Sequence, residues 1–577
     1  MFAVKNLKLK KSLIMLSVTT NLIITSAYSQ ARSHEDIYPF TPFSTQEVNK
    51  RIKFLTEDET PITSVVKIED LGLRSFQLRD VNKQPWASTY WPLNKGTIAD
   101  PYTGDGINIF KLGDELSWRN NHKDYLRRVK KFHPKLIEGK LSEEELAKLA
   151  PSEKYDLLIG DESFDLTNRI WKYAAQYGQD KYQSFVSKLY WDHPTVKLTA
   201  VQAENYVFEK TNSRMSQWEG ICHGWATASG VFPRPHSAFS VELTGKNKGK
   251  KLTFFPEDLK ALASLMFANS IAQDFTRSEG LRCNSAFPKR DKFGRFYDAT
   301  PDRFSKKFEP RCVGVHPGML HLAVVNLIGK QQRSFIVEKK LKHPVDNHPM
   351  AGYEINYFNV DTKKYGSLFD SIVKRSDFAD DPFASFRNRD SKFLLGIKLR
   401  LDYVDWMRPR RNITDDAAQD KMDSGEMLYD LELDAKLNII GGQWRSTEDG
   451  TPLFGAASLF VGNNQPNFIW VMSKDWKKSF INNQNLEPWV DTTLPPPASW
   501  KTVALKSAHT FMYTEYALFN NEVQKYCPMV NKDVEGSKVD VPCDRIVNKP
   551  QPLYNVINQL FELSGNEGFM TDMNKAD

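Results

Sequence analysis

Across 577 residues the chain carries only five cysteines, no internal repeat, no low-complexity tract and no histidine pair at a metal-binding spacing. Each scarcity narrows the field. The lack of repeats sets aside repeat architectures, and the lack of Cys/His spacing leaves a zinc site without support. No EF-hand loop is present. Beyond residue 29 no apolar run approaches the length of a membrane span. What is present is a globular composition, 40% apolar and 12% aromatic. The length is too great for one core, so two to four domains are expected.

The first residues stand apart. Lys5, Lys8, Lys10 and Lys11 precede a mostly apolar run from Ser12 to Ala27, and Ala27-Tyr28-Ser29 offers a small-residue cleavage site. Residues 1–29 are therefore expected to be a signal peptide, making the mature protein secreted or periplasmic, with no stable membrane span. Their removal takes away four lysines and no acid, so the formal net charge falls from +7 to +3. Nucleic-acid binding loses its main support with them.

Export favours disulfides. Cys283 and Cys312 flank one polar loop, and Cys527 and Cys543 flank another. The expected bridges are Cys283–Cys312 and Cys527–Cys543, which leave Cys222 over. An odd cysteine in an exported protein is a reactive thiol or an intermolecular partner.

Cys222 lies in W-E-G-I-C-H-G-W-A-T-A-S (Trp218 to Ser229), where a run of small residues after the thiol suits a buried helix. At a helix N-terminus the macrodipole and unpaired N–H groups favour a thiolate. Trp218 and Trp225 are candidate walls of such a site, and Gln217 is a candidate oxyanion donor. Further elements follow in order. Ser142 and Glu145 have capping-box spacing, and Ser240 to Leu252 suits a hairpin. Pro256 opens a helix, with Glu257 and Asp258 in its first turn. Met319 to Ile328 (M-L-H-L-A-V-V-N-L-I) is expected to be a strand, with a return strand at Ser334 to Val337. Strands are also expected at Phe393 to Tyr403, Leu428 to Trp444 and Phe468 to Met472, and a last helix near Leu553 to Leu563.

A thiol nucleophile needs a base and a group to orient it. His223 is adjacent to Cys222 and points about 100° away on a helix, so it is a poor base. His321, at the start of the expected strand, is the better candidate, in the order and setting of a papain-like fold. Asn347 or Asp346, in Val345-Asp346-Asn347-His348-Pro349, would orient it. His316, His343 and His348 remain runner-up bases. No metal site is expected.

The Cys222 stretch resembles the W-x-G-x-C-H-G-W-A-x-A motif of the transglutaminase elicitor family of oomycetes and bacteria. Y-W-P (Tyr90 to Pro92), S-E-K-Y-D-L-L-I-G-D (Ser152 to Asp161), E-D-L-K-A-L (Glu257 to Leu262) and G-L-R-C (Gly280 to Cys283) also resemble it in order. So do P-G-M-L-H-L-A-V-V-N-L-I-G (Pro317 to Gly329) and L-E-L-D-A-K-L-N-I-I-G-G-Q-W (Leu431 to Trp444). The resemblance implies an α+β fold with a papain-like cysteine-protease core and protein-glutamine γ-glutamyltransferase activity. It also implies Cys222 as nucleophile, His321 as base, and stimulation by calcium without a required cofactor.

Two departures stand out. The family's V-W-N-Q-P-V corresponds to V-D-N-H-P-M here (Val345 to Met350), and its H-P-D-F to Gln465-Pro466-Asn467-Phe468. The expected organisation is a signal peptide (1–29), a partly helical N-terminal region that is a candidate pro-segment (30–151), the catalytic core (152–376) and a β-rich C-terminal domain (377–577). The expected partners are proteins, as glutamine donors and as lysine or amine acceptors. The alternatives are a secreted cysteine peptidase or amidase on the same scaffold, and a catalytically degenerate envelope-binding protein.

Overall fold

The computed structural model describes residues 45–80, 82–102, 118–171, 219–270, 276–280, 315–338, 346–384, 387–445, 466, 468–477, 486–507, 511–512, 529–534, 537–542, 547–548 and 551–565. The expected signal peptide, Gln217, Trp218, His343, Cys283, Cys312, Cys527 and Cys543 lie outside them, as do both expected bridges.

The centre is an antiparallel sheet. Its strands are β1 (Ser75–Gln77), β4 (Thr276–Gly280), β5 (Ile336–Glu338), β6 (Asn347–Phe358), β7 (Tyr365–Gly366), β8 (Ile372–Lys374), β9 (Phe393–Val404), β10 (Met422–Leu433), β11 (Ile439–Arg445) and β12 (Phe468–Met472). The main path runs β11-β10-β9-β6-β5-β12-β4, with β1 and β7 on β6 and β8 on β9. A separate hairpin joins β2 (Phe239–Glu242) to β3 (Lys251–Phe254).

Alternation decides what each face covers. Leu395, Ile397, Leu399, Leu401 and Tyr403 of β9 point into one core with Tyr429 and Leu431 of β10, while Lys398 and Arg400 between them face outward. The helices Thr45–Thr56 and Pro317–Ala323 cover that apolar face. Between Met350 and Gly352 the β6–β9 register slips. The extra residue reverses which side chains face which side. Ala351 thus joins a different core from Met350 and Tyr353.

At this end the sheet is covered on both sides. Ile336, Trp470 and Met472 face a further core, called the first because the Cys222 helix lies in it, whereas Val337, Ile469 and Val471 face the core of β9 and β10 described above, called the second. The first core holds the helix Cys222–Val231, the helix Pro256–Ser270 and the last helix, Tyr554–Leu563. Two tryptophans lock the N-terminal segment onto it. Trp86 donates through Nε1 to the Phe232 carbonyl at 3.1 Å, and Trp225 donates back to the Trp86 carbonyl at 3.1 Å.

Several expectations need correction. Residues 317–330 are helical, an α-helix continuing as a π-helix over Val324–Lys330, and not a strand. Every residue from Pro317 to Gly329 is buried, so the sequence shows neither a period of 3.6 nor one of 2. No boundary falls at 376/377, because β9 pairs with β6 residue by residue from Met350↔Tyr403 to Phe358↔Gly396, apart from the one slip. Nor is the N-terminal region separate, since β1 pairs with β6 and Trp86 is wholly buried. The Ser142–Glu145 capping box and the helix starting at Pro256 are present as the sequence suggests.

Candidate active site

Cys222 is the first residue of its helix, and Ile221 supplies the N-cap. The approach to it is fixed by backbone. Ile221 donates to the Tyr90 carbonyl at 2.8 Å, and Pro92 bridges Gly220. A Cβ on Gly220 would lie 2.2 Å from the Tyr90 oxygen, so only glycine permits this crossing. Gly224 does the same beneath the helix, where a Cβ would lie 2.1 Å from the Ser264 carbonyl. The two glycines beside the thiol therefore let a strand-like segment and a second helix approach it closely.

The start of β6 reaches the sulfur. Asn347 Nδ2 donates to Cys222 Sγ at 3.7 Å. Backbone N–H groups of Asn347 and His223 also bond the sulfur. These three donors favour a thiolate. Burial of the sulfur opposes it most strongly, Asp346's negative charge adds to that, and the Cys222 thiol is raised above its ordinary value. The residue itself keeps partial exposure and is a free thiol. Tyr90, half-buried, feels the same sulfur. Its phenol is raised first by burial and then by the Cys222 charge.

His321 sits elsewhere. Its helix packs in the second core, on the face of the sheet opposite the Cys222 helix. Its Nδ1 lies 2.9 Å from the Tyr429 hydroxyl, and Nε2 meets no hydrogen-bond partner. Burial pushes its pKa down to about 3, so it is a neutral imidazole at physiological pH. No hydrogen bond or electrostatic interaction links it to Cys222. The expected Cys222–His321 pair is therefore not brought together, because the residues between Pro317 and Gly329 form a buried helix and not a strand beside β6.

Trp225 does not wall the site either. At 1% exposure it is core, held by Trp86. Its ring meets that of His348 edge-on, with centroids 6.3 Å apart. His316 caps its own helix by accepting from Gly318 N at 3.1 Å. Tyr90 is not among the site residues expected from the sequence, although Y-W-P is among the stretches that carry the resemblance.

Residues 140–481, more than half of the chain, match the family described as Transglutaminase elicitor. The chain belongs to that family. Among curated proteins there is no match. Among solved structures, the GP42 transglutaminase from Phytophthora sojae is similar at 15% identity and a TM-score of 0.40, covering 81% of this chain and 98% of that one. The match to the transglutaminase elicitor family includes Cys222, Asn347 and His321, so it takes in both faces of the sheet. Among the described residues no group of three or more His, Cys, Asp or Glu could hold a metal ion. The calcium implied by the resemblance finds no such cluster of side chains among the described residues. Among the described residues no helix is long and apolar enough to cross a membrane.

Proposed function

We propose that the chain is an exported transglutaminase on a papain-like core, with Cys222 as its nucleophile. The observation that carries this reading is a free thiol at a helix N-terminus on which three N–H donors converge. Sγ attacks the γ-carboxamide carbon of a protein glutamine. The carbon–nitrogen bond breaks, ammonia leaves with the thiol's proton, and a thioester remains. A lysine amine of a second protein then displaces the sulfur, forming an isopeptide bond and returning the proton to Cys222. The Cys222 N–H, unpaired in the first helical turn, and Asn347 Nδ2 would bind the oxyanion, each donor worth roughly 3 kcal/mol. Asp346 acts on the thiol through its charge.

One observation favours a second reading, a binding protein with a silent site. The thiol is raised, and among the described residues no histidine nitrogen bonds the sulfur. Incubation of the mature protein with a dansyl amine and a glutamine-rich donor protein separates these. Label that depends on Cys222 supports the transferase. Label that survives Cys222→Ala removes Cys222 from the reaction. Ammonia release without label means an amidase, a donor cut into peptides without label means a peptidase, and none of these products means a binding protein.

A further inference from the structure

We infer that Asp405 and Trp406 form a cation-binding subsite beside Cys222, filled in this structure by the chain's own Lys421. Its ligand is a lysine or arginine side chain flanking the reacting glutamine of a donor protein. The inference rests on the reading of Cys222 as the nucleophile and adds a preference that the thiol alone does not supply.

The seat shows its own occupant. Asp405 and Trp406 directly follow β9, and Lys421 directly precedes β10 on the paired strand. Asp405 N donates to the Lys421 carbonyl at 2.8 Å, which sets the two residues opposite each other. The Lys421 ammonium lies 2.5 Å from Asp405 Oδ2 and 5.2 Å from the centre of the Trp406 ring. A carboxylate and an aromatic face together suit an ammonium or a guanidinium group. Asp405 is the fixed half of this contact. It is 12% exposed, and its Oδ1 accepts from Trp406 N at 2.9 Å, with His348 Nδ1 3.8 Å away. Lys421 is 55% exposed on a flexible stem, so it can swing out into solvent and leave the seat to another cation.

One stretch of chain ties the seat to the thiol. Ala87 N donates to the Asp420 carboxylate at 3.0 Å, and Met407 N donates to the Ser88 carbonyl at 2.8 Å. Two residues on, the Tyr90 carbonyl accepts from Ile221 N, next to Cys222. The Tyr90 ring meets that of Trp406 edge-on, with centroids 5.7 Å apart. It also lies against Gly220, where a Cβ would come within 2.6 Å of Tyr90 Cδ2. Tyr90 thus stands between the Trp406 ring and the residues leading into Cys222. The attacking amine of an acceptor must be neutral, whereas a carboxylate favours the charged form. The seat therefore suits a cation beside the reacting glutamine and not the attacking amine itself.

Labelling of Cys222 on the mature protein reads this without turnover. Trimethylammonioalkyl methanethiosulfonates of increasing arm length are compared with uncharged alkyl reagents of the same length. Each forms a mixed disulfide with the thiol and releases methanesulfinate. The ratio of the two rates is the readout, because changes in the thiol itself cancel. Lys421→Met should raise that ratio about threefold to tenfold at the arm length that reaches Trp406. Loss of any nearby positive charge would also raise it, so Lys421→Met/Trp406→Leu, equal in charge, should lower it again. Lys421→Met/Trp406→Phe, with a weaker ring, should fall between, and carries the test if thermal melts show the leucine variant unfolded. A ratio unmoved by Lys421→Met, or the same with and without the Trp406 ring, overturns the inference. Cation preference without amine incorporation leaves the subsite standing and removes the transferase reading. Incorporation without the preference does the reverse.

Discussion

A single methyl group at Gly224 should damage this protein, whereas the same change six residues later should not. A Cβ at Gly224 would meet the Ser264 carbonyl at 2.1 Å, Ala268 Cβ at 2.7 Å and Ala268 N at 2.8 Å. Two of the three are backbone atoms of the facing helix and cannot swing aside. Carbon contacts settle near 3.5 Å, so the helices must part by about 1 Å. Overpacking of this kind costs about 1–3 kcal/mol, and two backbone clashes put it at the upper end. The better helix propensity of alanine returns about 1 kcal/mol. The net loss for Gly224→Ala is about 2 kcal/mol, or about 2 °C in Tm, since a chain of 577 residues unfolds with an entropy of about 1.2 kcal/mol/K. At Gly230 a Cβ would meet only Ser334 Cβ at 3.6 Å and its Oγ at 3.7 Å, which is ordinary contact. Gly230→Ala should therefore be neutral or gain up to about 1 kcal/mol. Melting followed by circular dichroism on both variants gives the answer. A Gly224→Ala protein that melts at or above the parent would refute the close helix crossing beneath Cys222.

Other expectations concern buried charge and the sulfurs. Glu257 is pushed up to about 7 by burial, against the pull of Lys260 and the Ser88 hydroxyl. Being raised in the folded state, it supports folding below its ordinary value of 4.5, and that support is lost as pH rises to about 7. Glu257→Gln should remove this decline and stabilise the protein at pH 8 by at most about 3 kcal/mol, measured by urea unfolding at both ends of the window. His321→Phe should leave Cys222 alkylation unchanged while costing about 1–3 kcal/mol for the unpaired Tyr429 hydroxyl; slower alkylation would mean that His321 reaches the thiol. Thiol counting on the unreduced mature protein should find one free thiol, and any other count would undo the pairing of Cys283 with Cys312 and Cys527 with Cys543.

What the sequence disclosed depended on whether an element keeps one wet face. The strand at 393–404 buries alternate residues from Ile397 to Tyr403, and that pattern of two was visible in the residues themselves. The Pro256 helix announced its start through Pro256, Glu257 and Asp258. The segment from Pro317 to Gly329 is buried all round, so its apolar run suits a strand or a helix equally. Pro317 at the first helical position was the one signal pointing the right way. That one misreading carried His321 to the wrong side of the sheet. Cys222 itself was legible from its small neighbours, its surplus in the cysteine count and the family motif. The role of Tyr90 was not, because it depends on a crossing at Gly220 that joins residues far apart in sequence.

The last helix gives the order of assembly a physical meaning. Phe561, wholly buried, lies against Phe232 with ring centroids 4.6 Å apart, just past the end of the Cys222 helix, and Phe232 in turn receives Trp86 from the N-terminal segment. The bed under the thiol is therefore built from residues near both ends of the chain. Contacts that span most of a sequence close late, after the entropy of a very long loop has been overcome. A ribosome or export channel holding back the final few dozen residues would hold back this bed as well. The chain would then travel with Cys222 off its bed, and the bed would form only once the last helix had been released.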